Sequence, residues 1–125
     1  MKYLGVDLGL RRVGLAISEG SLASPWKIVE VKGIQDAADK IIKIIRSESF
    51  DKIIVGMPEG QMGKNAQKFI NLLKKERLEV FGQDETLSSQ HAIASMIKMG
   101  ISKKKRKFND AQAAAEILQN YLDNI

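Results

Sequence analysis

The chain has 125 residues, of which 20 are Lys or Arg and 15 are Asp or Glu, for a formal net charge of +5. That length favours one compact domain over residues 1–125, and an apolar content of 44% is enough to fill its core without metal or disulfide staples. The lack of cysteine excludes a disulfide framework, a thiolate zinc site and a cysteine nucleophile. Asp7 interrupts the opening apolar stretch too early for a signal peptide, and no run of about 18 apolar residues occurs, so a soluble, cytoplasmic protein without a membrane partner is expected. The basic balance points to a polyanion as partner.

Tyr3 to Leu8 reads as a short strand, and Gly9 to Arg12 has the length of a hairpin connection into a second strand, Val13 to Ile17. After a polar bend containing Pro25, Trp26 to Val31 alternates as a third strand that Gly33 stops. The period then changes. Ile34, Ala37, Ala38, Ile41, Ile42 and Ile45 recur at three and four residues, the apolar stripe of a helix running to about Glu48. Lys52 to Gly56 is a fourth strand, ended by Met57-Pro58 because proline lacks a donor and restricts the residue before it. A loop with Gly60 and Gly63 leads to a second helix with Ala66, Phe69, Ile70 and Leu73 inward and Lys64, Lys68, Lys74 and Lys75 on its other faces. Glu79 to Phe81 is a short fifth strand. Two helices close the chain: Ser89 to Lys98, with Ala92, Ile93, Met96 and Ile97 inward and Gly100 as a stop, and Asn109 to Leu122.

This order predicts an α/β fold with a mixed five-stranded sheet, the first three strands antiparallel and the later ones parallel, covered by helices on both faces. In such sheets reactive groups gather near the carboxyl ends of the central parallel strands.

Three carboxylates draw attention. Asp7 sits inside an otherwise apolar central strand, where an ionised group costs several kcal/mol unless it is paired or metal-bound. An ion pair with Arg11 or Arg12, or a turn-starting role, would satisfy it structurally. Gly5 and Gly9 leave room beside it for something bulky. Asp110 shares a helix face with Ala114, Ile117 and Tyr121, which turns it along the buried stripe, although Asn109 and Asp110 also read as ordinary capping residues. Glu85 follows the Val80-Phe81 strand, with Asp84 competing for any inward role. Oxygen donors from a strand, a strand end and a helix start suit Mg²⁺ or Mn²⁺ and not zinc. The lone His91 falls on the exposed side of its helix and builds no metal site. Lys103, Lys104, Lys105, Arg106 and Lys107 form a basic run that reads either as a solvated loop or as a phosphate-contacting one.

Taken in order, Val6-Asp7-Leu8-Gly9, Arg12 to Ser18, Ala23-Ser24-Pro25, Ile54 to Pro58, Asp84-Glu85, and Asp110 followed by Ala113-Ala114, Ile117-Leu118 and Tyr121-Leu122 resemble the YqgF/RuvX family of Holliday junction resolvases. The resemblance spans essentially the whole chain. It implies an RNase H-like fold and a nuclease whose metal-binding acids fall on Asp7, Glu85 and Asp110, with Arg12 contacting phosphate or ordering the site. It further implies two divalent ions, about 3.5–4 Å apart and bridged by Asp7, and in-line attack leaving a 3′-hydroxyl and a 5′-phosphate. The substrate it implies is the 5′ region of precursor 16S ribosomal RNA, with branched four-way DNA as the alternative. Three departures stand out: Glu19 where the family usually has Asp, Thr86 where Arg is usual after Glu85, and Ser88-Ser89 in place of a threonine-rich pair. The missing arginine bears on a substrate contact, not on the metal site.

With that resemblance, the run Lys103 to Lys107, just before Asp110, reads as a nucleic-acid contact, and an aromatic content of 6% leaves recognition to backbone and shape. Two rivals remain. Actin-like ATPases share the sheet topology and an opening DxG turn, but close two such domains around their nucleotide where this chain supplies one. A nucleic-acid-binding module without catalysis would show binding that is indifferent to Mg²⁺. Single-site RNA trimming needs only a monomer, whereas a symmetric junction cutter needs a dimer, so a monomer or weak homodimer is expected.

Overall fold

The computed structural model describes residues 1–84 and 109–125; the helix read over Ser89 to Lys98, His91 and the run Lys103 to Lys107 lie outside the described residues. Five strands and three helices follow in the order β1 (Tyr3–Leu8), β2 (Arg12–Ser18), β3 (Ser24–Glu30), α1 (Ile34–Glu48), β4 (Lys52–Met57), α2 (Gln61–Lys74), β5 (Val80–Asp84) and α3 (Asn109–Asp123). They build one sheet in the order β3-β2-β1-β4-β5. β1–β2 and β2–β3 pair antiparallel, while β1–β4 and β4–β5 pair parallel. The mixed sheet is therefore the one the sequence predicts, with β1 at its centre.

Strand alternation divides the interior in two. Leu4, Val6, Leu8, Val13, Leu15, Ile53 and Val55 point to one side and meet Ala37, Ala38, Ile41 and Ile45 of α1 and Ala66, Phe69, Ile70 and Leu73 of α2. Tyr3, Ala16 and Ile54 point to the other side and meet Ala114, Ala115, Ile117 and Leu118 of α3. No helix among the described residues is long and apolar enough to cross a membrane.

Three boundaries depart from the sequence reading, each for a physical reason. Pro25 lies within β3 and not in the bend before it, paired with Ala16 next to a register shift between Leu15 and Ala16. Since β3 is an edge strand, a residue without an N–H is tolerated there. α2 starts at Gln61 instead of near Ala66. Gly60, at φ 75°, turns the chain into the helix, and Gly63 lets the first turn settle on the Pro58 carbonyl, where any Cβ would collide. β5 continues to Asp84 through Gly82 and Gln83, because register with Val55, Gly56 and Met57 of β4 holds residues whose own strand preference is weak.

Candidate active site

Asp7 occupies the carboxyl-terminal half of β1, and its antiparallel partner on β2 is Gly14. Residues directly opposite in such a pair project to the same face, so Asp7 faces the side covered by α3. What lies over Gly14 is the start of that helix: a Cβ added there would collide with the Asp110 carbonyl and come within 2.8 Å of the Ala111 amide nitrogen. One strand pair thus carries Asp7 and the seat of Asp110 side by side. The same contact recurs two pairs further along, where a Cβ at Gly5 would meet the Ala114 carbonyl and the Leu118 Cβ, each at 2.8 Å. The space beside Asp7 that Gly5 provides is accordingly filled by the chain's own helix, while Gly9 closes the hairpin against the Arg12 carbonyl.

Arg12, the first residue of β2, points its Nε at Asp110 Oδ2 from 3.4 Å. The helix acid thus engages one of the two arginines that the sequence offered to Asp7. Asp110 is 29% exposed and Arg12 47%, so the pair stands at the boundary between core and solvent. Burial pushes the Asp110 carboxyl above the usual carboxylate range, and the nearby Arg12 charge opposes this without cancelling it. A half-buried carboxylate at a helix start is a hard oxygen donor suited to a divalent cation. Leu8, Gly9, Leu10, Arg11, Arg12 and Asp110 line a cavity of about 390 Å³, with Met62 of α2 on its border. Its mouth is basic, and Leu10 at the hairpin tip is half exposed.

Of the three acids picked out in the sequence, Asp7 and Asp110 come to one face. Glu85 lies outside the described residues. Among the described residues no group of three or more His, Cys, Asp or Glu stands ready to hold a metal ion. Alternation along β5 puts Asp84 with Val80 and Gly82 on the α2 side, opposite to the face that Asp7 shares with α3, and Asp84 pairs in register with Met57. Gly14 is the positioning residue the sequence reading passed over. A signal for it was present, because a hairpin that pairs Leu8 with Val13 must also place Asp7 against Gly14.

Residues 1–124 match the family model described as "RuvX: Holliday junction resolvase". A protein of Clostridium novyi (strain NT) named "Putative pre-16S rRNA nuclease" is 34% identical, with 100% of both chains covered. One of the same name from Bacillus thuringiensis (strain Al Hakam) is 38% identical, with 99% of each covered. Among solved structures, the fowlpox virus Holliday junction resolvase superposes with a TM-score of 0.69 at 16% identity, covering 100% of both chains. Thermus thermophilus RuvC in complex with a Holliday junction substrate gives 0.63 at 12%, covering 99% of this chain and 95% of the other. At such identities the structural likeness is one of fold, and that fold is RNase H-like. Together with the full-length family match and the relatives above 30% identity, it shows that the chain belongs to the RuvX family.

Proposed function

We propose that this member of a nuclease family hydrolyses phosphodiester bonds with divalent metal ions, and that its substrate is the 5′ region of precursor 16S ribosomal RNA. The observation that carries the reading is the placement of Asp7 opposite Gly14, which itself lies against the backbone of Asp110. Two full-length relatives named for pre-16S rRNA support the choice of substrate.

Asp7 and Asp110 are the proposed oxygen donors for Mg²⁺ or Mn²⁺, and Glu85 is the proposed third, since Asp84 belongs to the other face of the sheet. Such ions, when bound, supply an activated water and neutralise charge on the leaving oxygen. Arg12 holds Asp110 in place from one side and, being half exposed at the cavity mouth, offers the rest of its guanidinium to a phosphate. The same fork cannot serve both partners fully, so Arg12 links the order of the acid to the arrival of substrate. Lys103, Lys104, Lys105, Arg106 and Lys107 are proposed to hold the strand next to Asp110 through its backbone.

The test compares wild type with Asp7→Asn on a ribosomal RNA precursor and on a synthetic four-way DNA junction, with Mg²⁺, Mn²⁺ or chelator. Metal-dependent cutting of the RNA by wild type, reduced at least about a hundredfold in the variant with binding retained, is the expected result. Cutting of the junction alone would move the substrate to branched DNA, and equal cutting by the variant would remove Asp7 from the chemistry. Tight binding without any cutting would make the chain a binding module.

A further inference from the structure

The second helix carries a charge pattern that the proposed site does not use. From Gln61 to Lys75 there are four lysines and no acid. At 3.6 residues per turn, Lys64, Lys68, Asn71 and Lys75 fall within about 60° of one another, a stripe about 16 Å long. All four are exposed. Lys75 still has right-handed helical backbone at the helix end, so the stripe is unbroken over its length.

Two observations describe the surroundings of this stripe. Among the described residues none of Lys64, Lys68 or Lys75 is in an ion pair, a state they share with Lys27, Lys32 and Lys43. Three like charges along one helix face repel one another mildly, and an anion laid along them relieves that cost. The stripe also has a floor. Lys68, Asn71 and Lys75 line a groove of about 390 Å³ together with Ile34, Gln35 and Leu72, between α1 and α2.

The stripe begins at the end of α2 nearest the candidate site. Met62, in the first turn of α2, lines the cavity that holds Arg12 and Asp110, and Lys64 stands in the same turn about 160° round the helix from it. Gly63 makes the approach close by letting this turn sit on the Pro58 carbonyl at the end of β4. A polyanion leaving that end of the sheet along the stripe meets the lysines in the order 64, 68, 75.

We propose that α2 is a track for the sugar-phosphate backbone of the nucleic acid flanking the cleaved bond, with Lys64, Lys68 and Lys75 as its phosphate contacts. The proposal rests on the nuclease reading for its substrate, but its test does not depend on cleavage. Binding of single-stranded RNA of about 30 nucleotides, and of about 6, is measured by fluorescence anisotropy in chelator across a salt series. Wild type is compared with Lys64→Gln/Lys68→Gln/Lys75→Gln and with Lys27→Gln/Lys32→Gln/Lys43→Gln, which removes equal charge elsewhere.

The α2 triple is expected to bind the long RNA about tenfold more weakly at moderate salt and to make the log–log salt slope shallower by about 2, roughly 0.7 per phosphate lost. The short RNA and the control triple should show little change. An unchanged slope in the α2 triple, or an equal change in the control, overturns the track. A flattened slope on a protein that cuts no nucleic acid would leave the track standing and sink the nuclease reading. Cutting by wild type with an unchanged slope would do the reverse.

Discussion

On the α1/α2 side of the sheet the interior is built from Leu4, Val6, Leu15, Ile53 and Phe69, all fully buried. On the α3 side the strands offer Gly5, Gly14 and Ala16, and the helix answers with Ala111, Ala114 and Ala115. Large branched side chains bury the most apolar area and set a helix at ordinary distance from a sheet. Small residues bury less but let the backbone of α3 come down onto β1 and β2. What this closeness obtains is position: the first turn of α3 lands on Gly14, and Asp110 arrives beside the partner strand of Asp7. Both faces bury large apolar side chains, Ile54, Ile117 and Leu118 on the α3 side, but it is the small residues of that side that bring acids together.

The sharpest way to break this division is to change one residue on each side. Phe69→Ala should cost about 3–5 kcal/mol, read as a fall in denaturation midpoint, while cleavage per folded molecule stays near wild type. Gly14→Ala adds a single carbon and should cost less, about 1–3 kcal/mol, yet should depress cleavage and metal binding, because the atom it meets is the helix backbone and cannot step aside. If the glycine variant loses stability but keeps full metal affinity, close seating of α3 is not what positions Asp110.

A smaller effect concerns the acid itself. Its carboxyl titrates above the ordinary range because burial disfavours the charged form and Arg12 compensates only in part. A group that binds its proton more tightly when folded adds stability below its unfolded pKa and loses that contribution as pH rises through the folded one. At neutral pH, without metal, the ionised Asp110 therefore weighs against the fold. Asp110→Asn should raise the melting temperature in chelator at pH 7, by an amount that shrinks as pH falls through the carboxylate range. A pH-independent difference would assign the effect to altered packing.

Much of the fold was legible because its signals are local. The three-and-four spacing from Ile34 to Ile45, the hairpin-length gap after Leu8 and the stop at Pro58 each determine an element without reference to the rest. Asp7 was legible as a site for a related reason, since a carboxylate inside an apolar strand is costly wherever that strand ends up. Three features could not be read locally. The Arg12–Asp110 pair joins residues 98 positions apart and depends on α3 lying across the β1–β2 hairpin. Pro25 falls inside a strand only because that strand is at the sheet edge. Gly82 and Gln83 extend β5 only because β4 is beside them.

The central claim is that Asp7 and Asp110 serve one cation. Mn²⁺ titration of the full chain, followed by calorimetry and by the metal's electron paramagnetic resonance signal without nucleic acid, tests it most directly. Asp7→Asn and Asp110→Asn should each abolish the tightest binding step, and the double variant should be no worse than either single one, as for two ligands of a shared ion. Additive, independent losses in the two variants, or full Mn²⁺ affinity in either, would contradict it.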